Sequence, residues 1–277
     1  MYERKRIYIL VKTYPTISRE YSELVCTAGI LEDGGWIRLY PVPFRKLELE
    51  QKYPKFSWIE VEVERNTADF RPESYRPNLA SLVVEKKSKT PNWNERNKII
   101  FKKQKVYTNF AELIEPAKRS NVSLAIFKPT KILNFIAEKV ERDWDPKKLA
   151  SLKLLSQQLD LFKTAKEIEN EFKLVRKVPY KFSYIFQDDS GNTTTRMIED
   201  WEIGMLYFNC LKRNNGDEQA AISDIKNTYF NKLLKRDLYF FMGTMLQYHK
   251  IMDNPFIIIG VYYPPANLPP EQLSFSF

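Results

Sequence analysis

The chain has 277 residues, of which 43% are apolar, 29% charged and 14% aromatic. That composition excludes a disordered chain and supports one large domain or two smaller ones, each with its own core. Lys and Arg number 44 against 35 Asp and Glu, a formal net charge of +9, and there are one His and two Cys. A zinc site built from Cys and His of this chain alone is therefore excluded. Any Cys-His or Ser-His-Asp centre would depend on His249. The apolar run from Phe256 to Tyr263 is far shorter than the ~20 residues that span a bilayer. The charged start, MYERKRIYIL, has no signal-peptide core after it. A cytoplasmic protein with no membrane partner is expected, with Cys26 and Cys210 as reduced thiols.

In chain order, Arg6 to Lys12 reads as a buried strand, followed by a polar loop. Leu24 to Ile30 and Trp36 to Tyr40 flank Asp33-Gly34-Gly35, a turn able to adopt positive φ, so 24–40 is a hairpin. Trp58 to Arg65 alternates strictly and predicts a strand with one wet face. Leu79 to Val84 is a further short strand. Asn92 to Lys103 and Asn109 to Arg119 read as helices, and Lys131 to Glu141 as a strand. Asp145 to Glu171 has the clearest helical stripe, with Pro146 in the favoured first-turn position. Val178 to Phe186 and Thr194 to Ile198 are strands around a turn at 189–192. Glu199 to Arg213 and Gln219 to Lys235 read as helices. Leu238 to Leu246 and Phe256 to Tyr263 are closing strands, and the tail from Pro264 holds four prolines.

Clustered strands with inserted helices predict an α+β fold, not a doubly wound sheet. Two units are expected: a strand-rich, basic, OB-like part over 1–145, and a second α+β part over 146–277 that opens with the helical connector. No GxGxxG or GxxxxGK[ST] loop is present.

The positive charge is concentrated. Residues 86–131 hold 12 basic residues and three acidic ones, Glu95, Glu112 and Glu115, with Trp93, Phe101, Tyr107 and Phe110 among them. Lys and Arg neutralise phosphates, and aromatic faces stack on unpaired bases. Lys98, Lys102, Lys103 and Lys105 are the cations expected to contact nucleic acid, DNA or RNA.

The run Cys26-Thr27-Ala28-Gly29-Ile30, then Gly35-Trp36-Ile37-Arg38 and Pro41, resembles the opening of bacterial dual-OB-domain proteins. That group is associated with nucleic-acid handling, so the resemblance implies an OB barrel and a role in DNA processing, repair or phage defence. OB barrels bind strands on one sheet face and with the loop after the first strand. Lys12, Tyr14, Arg19, Tyr21, Trp36 and Arg38 are then expected near that surface.

Four further patterns bear on chemistry. Pro72-Glu73 followed by Glu85-Lys86-Lys87 resembles a PD-(D/E)xK nuclease, in which Glu73 and Glu85 would hold Mg²⁺ and Lys87 would steady the attacking water. No other cofactor is implied. Asp200 reads as a helix N-cap with Glu202 in the first turn. His249 reads as an exposed residue in a turn. Gln158-Leu159-Asp160-Leu161-Phe162 is similar to the peptide that docks replication and repair proteins on the bacterial sliding clamp, with Gln158, Leu159, Leu161 and Phe162 as contacts. Leu159 and Phe162 also extend a helical core stripe, which needs no partner.

Overall fold

A computed structural model of the chain describes residues 1–17, 23–85, 92–147, 149–150 and 175–267. The fold is mixed α+β, with twelve strands and four helices of at least nine residues among the described residues. No helix among them is long and apolar enough to cross a membrane.

The first five strands close into a barrel: β1 (Glu3–Lys12), β2 (Val25–Leu31), β3 (Trp36–Val42), β4 (Trp58–Arg65) and β5 (Ser74–Val84), in the order β1-β2-β3-β5-β4. β1 meets β4 antiparallel and β3 meets β5 in parallel, which is the connectivity of an OB fold. The alternation of β4 places Ile59, Val61 and Val63 inside, fully buried, and leaves Glu60, Glu62 and Glu64 outside. In β1, Ile7 and Ile9 point into the barrel while Tyr8 and Leu10 point out of it, and all four are buried. Such a strand needs cover on both faces. Gly29 lets β2 approach β1, because a Cβ there would stand 2.4 Å from the Tyr8 carbonyl oxygen. The β2–β3 turn holds Gly34 at φ +89, and Asp33 Oδ1 accepts from the Gly35 amide at 2.8 Å.

Helix α1 (Trp93–Phe101), capped by Asn92, short strand β6 (Val106–Tyr107) and helix α2 (Phe110–Lys118), capped by Asn109, connect this barrel to the rest. Next come β7 (Leu124–Phe127), β8 (Lys131–Lys139), β9 (Tyr180–Gln187), β10 (Thr193–Met197), β11 (Tyr239–Thr244) and β12 (Phe256–Tyr262). They form sheets β10-β9-β8 and β12-β11-β7-β6. Only residues 128–130 separate β7 from β8, so the two act as one bent strand whose first half pairs β11 and second half β9. A parallel bridge, Ile198 to Ile258, joins the end of β10 to β12. Traced around, these strands repeat the connectivity of the first barrel. Helices α3 (Trp201–Arg213) and α4 (Glu218–Lys226) lie between the third and fourth strands of this second ring. Asp200 caps α3 as the sequence predicts, its carboxylate accepting from the Glu202 amide.

The two rings share a seam. Tyr8, Leu10, Ala28 and Ile30 of the first meet Leu124, Ile126, Phe241, Ile259 and Tyr262 of the second. Each large apolar side chain buried there contributes roughly 1.5–3 kcal/mol. Beside this apolar half lies a polar half. Arg38, fully buried, donates from Nη1 to Ser123 Oγ at 2.6 Å and from Nη2 to Ser123 O at 3.1 Å. Ser123 in turn donates its amide and hydroxyl to the Glu73 carboxylate at 2.9 and 2.5 Å. Arg71 grips Asp69 through Nε and Nη2 at 2.8 and 2.5 Å, and reaches the Thr244 carbonyl across the seam at 2.5 Å. Burial alone would raise the Asp69 pKa, but the Arg71 hydrogen bonds and charge outweigh it and hold the carboxyl below its ordinary value.

Several sequence expectations are corrected. The division at 145/146 cuts between β8 and β9, which pair along their length, so the second unit begins before β7. β7 was not anticipated: its four residues are buried on both faces and show no alternation. β5 starts at Ser74 rather than Leu79, running through Pro77 opposite Val63. The helix expected over 219–235 ends as α-helix at Lys226 and continues as a π turn over Asn227–Lys232. Both cysteines are free thiols, as expected. Helix begins at Pro146, with Asp145 Oδ1 accepting from the Lys147 amide at 2.8 Å, and residues 149–150 are helical; the remainder of the stretch expected to be helical, 151–171, lies outside the described residues.

The buried Asp69–Arg71 pair sets a test. Arg71→Ala leaves the Asp69 carboxylate uncompensated and is expected to cost about 3–5 kcal/mol in urea unfolding. Arg119→Ala removes an exposed pair with Glu115 and is expected to stay within about 0.5 kcal/mol of the parent. Equal costs for the two variants would contradict the role given to the seam pair.

Candidate nucleic-acid interface

Helix α1 has two faces. On the inner one, Tyr262 donates its hydroxyl to Asn97 Oδ1 at 2.6 Å, Arg96 lies 4.3 Å over Phe56, and Ile100 is fully buried. On the outer one, Lys98 and Lys102 follow at helical spacing and are exposed, and Lys103 and Lys105 extend the ridge beyond the helix. The helix end is fixed to the first barrel at the β2–β3 turn. There Lys102 Nζ donates to the Glu32 carbonyl at 2.7 Å and Gln104 donates to the Gly34 carbonyl. Lys105 pairs with Glu112 at 2.7 Å, but both side chains are about 60% exposed, so the pair holds them weakly.

Between α1 and the outer face of β1 and β4 runs a cleft of about 360 Å³ lined by Arg6, Glu32, Trp58, Lys98 and Lys102. The Arg6 guanidinium stacks 4.4 Å over Trp58 and binds Glu85 at 2.5 and 2.9 Å and Glu32 at 2.7 Å. These hydrogen bonds hold the Glu85 carboxyl below its ordinary value. The cleft is therefore an ordered floor of paired charge beneath a ridge of exposed lysines.

The other expected contacts lie elsewhere. Arg38 and Trp36 point into the seam: Arg38 is held by Ser123, and Trp36 meets Phe241 edge-on at 6.0 Å. The β2–β3 face, on which OB barrels bind strands, is thus covered by the second ring. Lys12 is buried, 4.4 Å from the Phe44 ring, with Nζ donating to the Tyr53 carbonyl at 3.1 Å. Tyr14 packs on Gly204 and Trp201 and donates its hydroxyl to the Arg176 carbonyl at 2.7 Å. Arg19, Tyr21, Gln158, Leu159, Leu161 and Phe162 lie outside the described residues.

The nuclease arrangement is not assembled. Glu73 and Glu85 flank β5 at its opposite ends. Glu73 serves Ser123 and Glu85 serves Arg6, so the two carboxylates cannot share an ion. Lys87 lies outside the described residues. Among the described residues no group of three or more His, Cys, Asp or Glu side chains is placed to hold a metal. His249 is buried rather than exposed: Nδ1 lies 2.7 Å from Thr244 Oγ1, and Phe70 packs edge-on to the ring. Desolvation, with the nearby Arg71 and Arg38 charges, lowers its pKa.

Sequence reasoning did not find two notable groups. Trp58 and Arg6 sit on the wet faces of strands whose alternation was readable, but their contact depends on β1 pairing β4. Lys55 is buried between Asp200 at 3.3 Å and Glu202 at 2.5 Å, tying the first barrel to the start of α3. Burial works against its charge, yet the two carboxylates outweigh that and keep Lys55 protonated. Burial pushes the Asp200 carboxyl up, against the pull of Lys55. Neighbouring Glu199 is also pushed up to about 7, by burial alone.

A closed barrel, and a second set of strands that repeats its pairing order, joined by a buried seam, define an α+β protein. Residues 106–276 match a family described as a domain of unknown function (DUF8757), and residues 3–102 match a second, likewise a domain of unknown function (DUF8758). The first match takes in more than half of the chain, which belongs to the DUF8757 family. The junction of the two matches falls between α1 and β6. No curated protein matches the sequence. A solved structure of a murine DNA binding protein bound with ds DNA is similar over 96% of this chain and 98% of that one, at 9% identity and a TM-score of 0.31.

Glu199 provides a pH test. Its folded carboxyl keeps its proton up to about pH 7, whereas the unfolded chain releases it near the ordinary value of 4.5. Between those values the folded state binds more protons, so this residue's contribution to stability falls as pH rises. Glu199→Gln, which cannot ionise, should melt near the parent at pH 5 and above it at pH 8. A variant that melts no higher than the parent at pH 8 would contradict the raised pKa of this carboxyl.

Proposed function

We propose that the chain binds nucleic acid along the ridge of Lys98, Lys102, Lys103 and Lys105, with phosphates as the main contact. The observation that carries this reading is the exposure of all four lysines on one edge of the first barrel, fixed there by the Lys102 and Gln104 bonds to the β2–β3 turn. The charge distribution supports it. Residues 86–131 carry 12 cations against three acids. The OB connectivity agrees with it as an analogy of fold. The resemblance at Cys26 to Pro41 extends the proposal to DNA processing, repair or phage defence.

Backbone-directed binding has a distinctive salt dependence, because each neutralised phosphate releases counterions. Fluorescence anisotropy with single-stranded and duplex DNA and RNA, across a salt series, is expected to give a linear fall of log affinity with log salt. Replacing the four lysines by Ala should flatten that slope by up to about 3, at roughly 0.7–0.9 per lost contact. Absence of binding to every probe at low salt, or an unchanged slope in the variant, would overturn the proposal.

A further inference from the structure

A second cleft, of about 550 Å³, opens in the seam between the two rings. Exposed Thr16 and Gln247 stand at its rim, and Leu24, Ile257 and Ile259 form apolar walls. Its charged lining residues are Arg38, Arg71 and Glu199. The size lies within the ~300–1,000 Å³ of small-molecule sites, and the make-up, apolar walls with a few polar groups, is theirs as well.

The three charges differ in what they still lack. Arg71 is neutralised by Asp69 and donates to the Thr244 carbonyl. Glu199 is half-exposed and borders the neighbouring cleft as well. Arg38 is only 1% exposed, and its donors are partly unused. Nη1 gives to Ser123 Oγ at 2.6 Å and Nη2 to Ser123 O at 3.1 Å, whereas Nε is buried with no partner. Ser123, which takes the Nη end, is not part of the cleft wall, so the Nε edge is the one turned to the cleft.

An orphaned buried donor is costly, and few are kept without a use. In the planar guanidinium, Nε–H runs parallel to one N–H of Nη2, at a spacing that matches the two oxygens of a carboxylate. Glu73 reaches Arg38 only through the Ser123 hydroxyl and leaves that edge open. Burial, and then the Arg71 charge, act against the Arg38 cation and lower its pKa. An anion on the Nε edge would offset both. One open edge neutralises one charge. A phosphate dianion would carry a second charge in among apolar walls, where desolvation is expensive. A monocarboxylate brings one charge, and a hydrocarbon body suits the walls.

We propose that the seam cleft binds a small amphiphilic carboxylic acid, its carboxylate taken by the Nε edge of Arg38 and its hydrocarbon body by Leu24, Ile257 and Ile259. The site does not depend on the nucleic-acid reading above, which the oligonucleotide titrations test separately.

Cys26 reports on occupancy. It lines the cleft and is half-buried, whereas Cys210 is buried away from it and serves as an internal control. The experiment follows alkylation of Cys26 in the folded full-length chain at pH 8, together with calorimetric binding of octanoate and of octanamide, which has the same chain length and no charge. Octanoate is expected to slow Cys26 alkylation at least about fivefold at saturation and to bind at least about tenfold tighter than octanamide. Inorganic phosphate is expected to leave Cys26 unprotected. Arg38→Lys keeps the cation and loses the paired donors, and should weaken octanoate binding at least about tenfold. An unreactive Cys210 in that variant shows that its fold is kept. The comparison of octanoate with octanamide is made on the parent chain and decides the matter if the variant does not fold. Octanamide that binds as tightly as octanoate, a Cys26 left unprotected by saturating octanoate, or an unchanged octanoate affinity in folded Arg38→Lys would overturn the site. Protection by inorganic phosphate in place of octanoate would overturn it too, in favour of a phosphate ligand.

Discussion

The seam between the two rings is the constraint on which the rest of the molecule depends. Arg71, Asp69, Arg38 and Ser123 are buried and Glu73 half-buried; Arg38, Ser123 and Glu73 bond across elements far apart in sequence, and Arg71, held locally by Asp69, reaches Thr244. The Ser123 hydroxyl accepts from Arg38 and donates to Glu73, so one small side chain links a buried cation to a half-buried anion. Apolar contact alone would bring the two faces together in several registers. A set of charge-assisted bonds with fixed partners permits one, because any slip leaves a buried charge unpaired. Lys55 and Asp200 add a second fixed point at the start of α3.

This arrangement redirects function. An isolated OB barrel offers its β2–β3 face to a ligand. Here Trp36 and Arg38 on that face belong to the seam, and Lys12 lies under Phe44. In the proposed reading the surface left for a polyanion is the flank where α1, fixed at the β2–β3 turn, crosses the outer side of β1 and β4 and displays its lysines. The seam also creates a space that neither ring has by itself. Its walls come from β2 and β3 on one side and β11 and β12 on the other, with Glu199 at the parallel junction of the second ring. Covering the usual face and opening the cleft are two results of the same docking.

Much of the first barrel was legible in the sequence. The strict alternation of Trp58 to Arg65 gave both the strand and its inner face, and Asp33-Gly34-Gly35 marked the turn between β2 and β3. The polar caps Asn92, Asn109 and Asp200 marked where helices begin. What the sequence could not convey was which neighbour covers an outward face. Trp36 and Arg38 share a strand face whether water or a second ring lies beyond it. β7 escaped notice because a strand buried on both sides has no period to read, and that same burial identifies it as the strand at the centre of the seam. The lysine ridge was visible as composition, and its exposure is a matter of helix docking. Glu199 was legible only as part of the carboxylate run 199–202, which reads either as an acid/base pair or as the helix cap that Asp200 forms.

If the seam makes one body of two rings, the chain should unfold as one. Differential scanning calorimetry of the full chain at neutral pH tests this most directly. A single transition is expected, with equal van't Hoff and calorimetric enthalpies. Two separable transitions, one for each ring, would contradict it and would leave both the covered β2–β3 face and the seam cleft without a fixed geometry.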